Sequence, residues 1–176
     1  RYDHIFAFLA EKGYVCCGYD NLGHGETAKN KDELGFIAHR NGWKYLVNDV
    51  KAFEDAVRKM FPDKPLYLMG HSMGSFISRI AAENYGDGIE KFIICGTGGP
   101  NAAAPFGLLL TDIMQLFCGE KHRSKLINNI AFGAYNKRFE GESEYDWVTS
   151  DREVTAKYAA DEYCTFKFTV SAMHDL

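Results

Sequence analysis

No apolar run in these 176 residues approaches the ~20 that a membrane-spanning helix requires. There is no C-x-x-C pair and no Cys/His spacing suited to zinc, so a structural metal is not expected. The five cysteines are an odd number, which leaves at least one unpaired. Cys16, Cys17 and Cys95 fall in apolar stretches where free cysteine acts as a small hydrophobe, and reduced thiols fit the cytosol. Clustered basic residues are also missing. "KHR" at 121–123 and "NKR" at 136–138 are short, acids lie nearby, and the net charge is −4, which argues against a nucleic-acid partner. No internal repeat or low-complexity tract interrupts the chain. What remains is the composition of an ordinary globular protein, 46% hydrophobic and 25% charged, long enough for one domain.

Periodicity divides the chain in two. Ile5, Phe8 and Leu9 keep helical spacing and Gly13 stops them. "YVCCGYD" (14–20) reads as a short buried strand, and "NLGHGETAKNKDELGF" (21–36) as loop. Trp43, Leu46, Val47, Val50, Phe53, Val57 and Met60 form one helical stripe, closed by Pro62 and Pro65. "LYLMG" (66–70) predicts a second strand, residues 75–85 a helix stopped by Gly86, and "KFIICG" (91–96) a third strand. Strand and helix alternating at this interval predict a parallel sheet with helices on its faces, an α/β fold. After Pro100 the pattern changes to helical stretches, beginning with the apolar "FGLLLTDIMQLF" (106–117), and strong strand signals cease. A helical insertion or lid is expected there.

At the junction of the second strand and its helix stands Gly70-His71-Ser72-Met73-Gly74. A serine between two glycines at a strand-to-helix turn has the form of a nucleophile elbow, with Oγ raised above the end of the sheet. A β-carbon at Gly70 or Gly74 should crowd the neighbouring elements, and the small Ser75 fits the same crowding. The helix starts just past Ser72, so the Met73 N–H is the natural donor to a developing oxyanion. Six histidines could in principle supply a base. His71 precedes the serine and should point away from it; His24 lies in a loop and either approaches the site or braces the loop. His4, His39, His122 and His174 read as surface or helical residues, with nothing in the sequence that argues for a partner. "CGTGGPN" (95–101) contains neither full phosphate-binding glycine motif and reads as a hinge into the helical part.

"RYDHIFAFLAEKGY", "YDNLGHGET", "YLMGHSMGSFISR" and "DREVTAKYAADEYCTFKFT" together resemble the monoacylglycerol lipase / lysophospholipase (serine aminopeptidase-like) branch of the α/β-hydrolase superfamily. The resemblance runs along nearly the whole chain. Its most specific parts are the elbow and the Asp20-x-x-Gly23-x-Gly25 loop; Leu22 stands where family members often carry arginine. It implies an eight-stranded, mostly parallel sheet with a helical cap, so that residues 1–99 are a partial core, 100–165 the cap and 166–176 a return into the core. Phe106, Leu108, Leu109 and Ile113 would then either line an acyl-chain pocket or pack the cap onto the core. Asp20 would shape its loop.

The resemblance further implies a strand between "YVCCGYD" and "LYLMG" that brings a second oxyanion donor, and a catalytic acid and histidine that follow the cap. None of these falls within the 176 residues. The opening residues read as the body of a helix, so the expectation is an internal portion of a longer protein, with a fold incomplete at both ends and inactive alone. For the whole protein the implied activity is serine hydrolysis of lipid-type carboxylic esters, monoacylglycerol or lysophospholipid, through an acyl-enzyme on Ser72. No cofactor is implied, and the cap could make transient contact with a membrane surface. The alternatives are an aminopeptidase or small-ester hydrolase on the same fold, or a catalytically incomplete fragment or binding module.

Overall fold

The computed structural model describes residues 2–139 and 143–176. Helix α1 (Asp3–Glu11) leads into the loop region; α2 (Gly42–Met60), β1 (Leu66–His71), α3 (Met73–Tyr85) and β2 (Ile89–Cys95) follow in alternation. Helices α4 (Ala104–Cys118), α5 (Lys125–Phe132), α6 (Arg152–Ala160), α7 (Glu162–Thr165) and α8 (Val170–Asp175) complete the described residues. β1 and β2 pair in parallel, from Leu66 against Ile89 to His71 against Cys95, with one irregularity between Leu66 and Tyr67. The α3 connection between them makes a βαβ unit, the arrangement parallel pairing requires.

The core forms where the helical stripe meets this unit. Leu46, Val47 and Val50 of α2 pack with Ile77 and Ala81 of α3, joined by Ile37 from the loop and Ala172 from α8. Leu46 is 1% exposed. At the far end of α2, Arg58 donates through Nε to buried Glu54 at 2.7 Å and through Nη2 to the Gly88 carbonyl at 2.6 Å. This fixes the helix to the turn that enters β2.

Residues 14–20 correct the first strand expectation. They carry aromatic and β-branched side chains, yet no ladder forms along them, and Tyr14 and Val15 are exposed. A strand exists only if its backbone N–H and C=O groups find a neighbour, and among the described residues the sheet contains β1 and β2 alone. Side chains hold the segment instead: Tyr14 meets Tyr67 edge-on and the Tyr19 ring lies 4.7 Å from Phe53. It does not pair with β1, as the implied strand order requires.

The second half is built from capped helices. Ser124 caps α5, Asp151 caps α6, Asp161 caps α7 and Thr169 caps α8, each accepting from a first-turn N–H. Arg123 joins this half to the loop, donating to the carbonyls of Asp32 and Leu34 at 2.7 Å and of Lys167 at 3.2 Å. Thr169 adds its N–H to the Gly35 carbonyl at 3.0 Å. Of the two readings of the apolar α4 face, packing onto the core is not observed for these side chains: Thr111 is the one buried residue of α4, whereas Phe106, Leu108, Leu109 and Ile113 are all exposed.

Leu46→Ala should destabilise the protein by about 2–5 kcal/mol, because a fully enclosed side chain leaves a cavity. Leu116→Ala, at a position 80% exposed, should change stability by less than ~0.5 kcal/mol. Urea unfolding midpoints of the two variants check the contrast.

Candidate active site

Ser72 occupies the N-cap position of α3 with φ 54° and ψ −120°, one of two non-glycine residues at positive φ among those described. Such a conformation costs of order 1–3 kcal/mol and persists only where surrounding contacts impose it. Those contacts are visible. The Ser72 N–H donates to the Cys95 carbonyl at 3.0 Å, fastening the turn to the end of β2. Its own carbonyl accepts from the Ser75 N–H at 2.8 Å and from Ser75 Oγ at 2.5 Å. Ser75 is fully buried, which accounts for a small residue there.

A serine at an N-cap ordinarily turns its Oγ back onto the first-turn N–H groups. Ser72 makes no such bond, and among the described residues no group pairs with its Oγ. The consequence is twofold. The hydroxyl stays exposed beyond the strand end, and the Met73 N–H at the head of α3 remains free to face an anion.

Gly70 is required by space. A β-carbon there would overlap the Gly74 carbonyl and the Ser78 hydroxyl of α3. The same expectation at Gly74 is corrected, because a β-carbon at that position meets nothing within 4 Å among the described residues. The elbow is therefore crowded on its strand side only.

His71 points elsewhere than Ser72. Its Nδ1 lies 2.9 Å from the Tyr2 hydroxyl of the α1 approach, a pairing across 69 residues that no local pattern announces. His24 braces its loop: Nδ1 donates to the Leu22 carbonyl at 3.0 Å, and the ring packs between Phe166 and Phe168. Burial among these rings lowers its pKa below the ordinary histidine value, against the opposing pull of the Leu22 carbonyl and Asp20. Asp20 accepts the Glu26 N–H at 3.0 Å, and its carboxylate fills the space beside Gly25. Two of the other four histidines have acidic partners: His39 pairs with Glu120, and His174 Nε2 lies 3.3 Å from Asp112. None of the six reaches Ser72 Oγ among the described residues.

Phe106, Leu109 and Ile113 stand on the exposed face of α4 and do not line the cavity of about 290 Å³ formed by Trp43, Phe76, Ile80, Asp175 and Leu176, to which Ser72 does not contribute either. Among the described residues no group of three or more His, Cys, Asp or Glu is placed to hold a metal ion.

A parallel βαβ unit that carries an uncapped, strained serine at the turn from its first strand to its helix has the nucleophile-elbow form found in α/β hydrolases. The chain belongs to the serine aminopeptidase, S33, family, which matches residues 1–176. It is similar to the monoglyceride lipase of Mus musculus, 30% identical over 118 residues that make up 65% of the chain and 37% of the lipase. The Rattus norvegicus monoglyceride lipase is 23% identical over 156 residues, 86% of the chain and 46% of that lipase. The similarity lies with the monoglyceride lipase-like branch. A solved highly thermostable carboxyl esterase from Bacillus coagulans, in complex with glycerol, superimposes with a TM-score of 0.87 at 26% identity. The match covers 99% of this chain and 57% of the esterase. The chain thus spans roughly half or less of these lipases and somewhat more of the esterase.

Gly70→Ala should cost about 1–3 kcal/mol, because the backbone it presses cannot yield. Gly107→Ala, in the open interior of α4, should stabilise by about 0.5–1 kcal/mol. Thermal unfolding distinguishes them. His24 gives a pH dependence. Its folded pKa lies below the unfolded value of about 6.5, so the unfolded chain takes up the proton first and stability falls as pH drops below that value. Urea midpoints at pH 7.5 and 5.5 should show this fall, and His24→Gln should make it shallower.

Proposed function

We propose that the protein carrying this chain hydrolyses lipid-type carboxylic esters, monoacylglycerol or lysophospholipid, through an acyl-enzyme on Ser72. The observation that carries the reading is the uncapped serine: Oγ is exposed, unpaired among the described residues, and adjacent to a free helix-head N–H. Ser72 Oγ attacks the ester carbonyl carbon, and the oxyanion forms beside the Met73 N–H, where the helix end favours negative charge. The serine proton passes to a base, and the alcohol leaves to give the acyl-serine, which water then cleaves. That base, its acid and the second oxyanion donor are the elements that the family resemblance assigns outside residues 1–176. His71 and His24 do not supply them, being committed to Tyr2 and Leu22.

Residues 100–165 serve as the cap in this reading. The exposed apolar face of α4, with Phe106, Leu109 and Ile113, meets the acyl chain or the membrane surface from which it comes. An aminopeptidase would instead need a free carboxylate in the cap to hold an α-amine. The buried cap carboxylate, Asp146, is taken up by Arg152 at 3.1 Å and the Ser143 N–H at 3.1 Å. A cytosolic setting belongs to the same proposal and draws on five cysteines none of which is joined in a disulfide among the described residues.

A fluorophosphonate probe should label the whole protein at Ser72 and leave Ser72→Ala unlabelled. The same substitution should lower kcat for monoacylglycerol by about 10⁶. Equal labelling of the two proteins would remove the nucleophile assignment, and faster turnover of aminoacyl amides than of acyl esters would favour the peptidase.

A further inference from the structure

Arg79 lies two turns along α3 from Ser72, and its guanidinium faces the backbone that leaves β2. Nη1 donates to the Gly98 carbonyl at 3.0 Å and reaches Thr97 Oγ1 at 3.4 Å. Among the described residues no carboxylate lies within ion-pair distance of it, so this cation is directed at main chain rather than at an acid. One turn earlier on the same helix, the Phe76 ring stands 3.3 Å from where a β-carbon on Gly98 would be. Residues three apart share a helix face. A ring and a guanidinium on one stripe of α3 therefore hold the same peptide.

The held peptide continues directly from the elbow. Cys95 accepts the Ser72 N–H, Gly96 turns the chain at φ 62°, and Thr97 and Gly98 then meet Arg79. Beyond Gly98 the next fixed point is Asn101, whose side chain accepts from the Ala103 N–H at 2.9 Å and whose carbonyl accepts from the Ala104 N–H at 3.0 Å, closing the turn into α4. Gly99 lies between these two anchors, with nothing among the described residues within 4 Å of a β-carbon placed on it. The exit toward α4 is thus a short pivot at Gly99, clamped on the sheet side by Arg79 and on the helix side by Asn101.

We propose that Arg79 is a positioning residue for the cap: by pinning Gly98 it sets the angle at which the chain leaves β2 for α4, and so which acyl chains the apolar α4 face accepts. The inference rests on the ester-hydrolase reading of Ser72. Arg79 touches no reacting atom in it. A lysine replaces it only in part: Nη1 alone makes both contacts, and an ammonium keeps the charge and the donors but not the planar group that fixes their direction.

The test uses the whole protein and three readouts: KM and kcat for a long-chain monoacylglycerol and for p-nitrophenyl acetate, the rate of fluorophosphonate labelling at Ser72, and deuterium exchange of peptides spanning residues 96–104. Arg79→Met should raise KM for the long-chain ester by roughly tenfold with kcat little changed, and should speed exchange at 96–104. Acetate hydrolysis and the labelling rate should stay within about twofold. Arg79→Lys should move every affected readout in the same direction by less, and it carries the test if the methionine variant folds poorly. Equal losses on both esters, or unchanged exchange at 96–104 with normal labelling, would overturn the inference alone. Absence of labelling in the unaltered protein would overturn the ester-hydrolase reading and this inference with it.

Discussion

The bond from the Ser72 N–H to the Cys95 carbonyl, at 3.0 Å, holds the one strained turn on which the site depends. It can form only because β1 and β2 pair in parallel with His71 opposite Cys95, so that the residue following β1 falls beside the last carbonyl of β2. That register needs α3 as its crossover, and α3 needs the α2 stripe and Ile77–Ala81 contacts to lie flat against the strands. Gly70 sits where strand and helix approach too closely for a side chain to fit. Local strain is thus maintained by nonlocal packing: the core fixes the ladder, the ladder fixes the turn, and the turn leaves a hydroxyl unused.

Helix capping shows the same logic from the other direction. Four helices of the second half satisfy their first turn with an N-cap side chain, as their sequences favour. Ser72 has the right residue type for that duty and does not perform it. Its backbone angles turn Oγ away from its own helix, and the donors that a cap would have consumed stay available. Stability is given up at one helix head and recovered elsewhere, in the buried Ser75 hydroxyl and the packing below it.

Much of this was legible in the chain itself. The stripe from Trp43 to Met60 gave α2 to within a residue, because a helix closes its own hydrogen bonds and periodicity suffices to reveal it. α4 is readable on the same grounds, whereas β1 and β2 show as short apolar runs that form strands because each has the other as its partner. Residues 14–20 have the composition of a strand and do not form one, because strand formation depends on a partner as well as on composition. The pairings of His39 with Glu120 and His174 with Asp112 were invisible for a related reason: each joins segments distant in sequence, and surface pairs leave no pattern in either. The expected crowding at Gly74 failed where that at Gly70 held, since space around a glycine is a property of its neighbours.

Arg123 grips three main-chain oxygens, those of Asp32, Leu34 and Lys167, and no side chain among the described residues. Carbonyl oxygens are the same whatever residue bears them. The join between the loop and the helical half therefore places its demand on a single position, and the identities of residues 32, 34 and 167 can drift over evolutionary time without loosening it. A contact of this kind separates the geometry of a seam from the composition of the surfaces it connects, leaving those surfaces open to selection for other purposes.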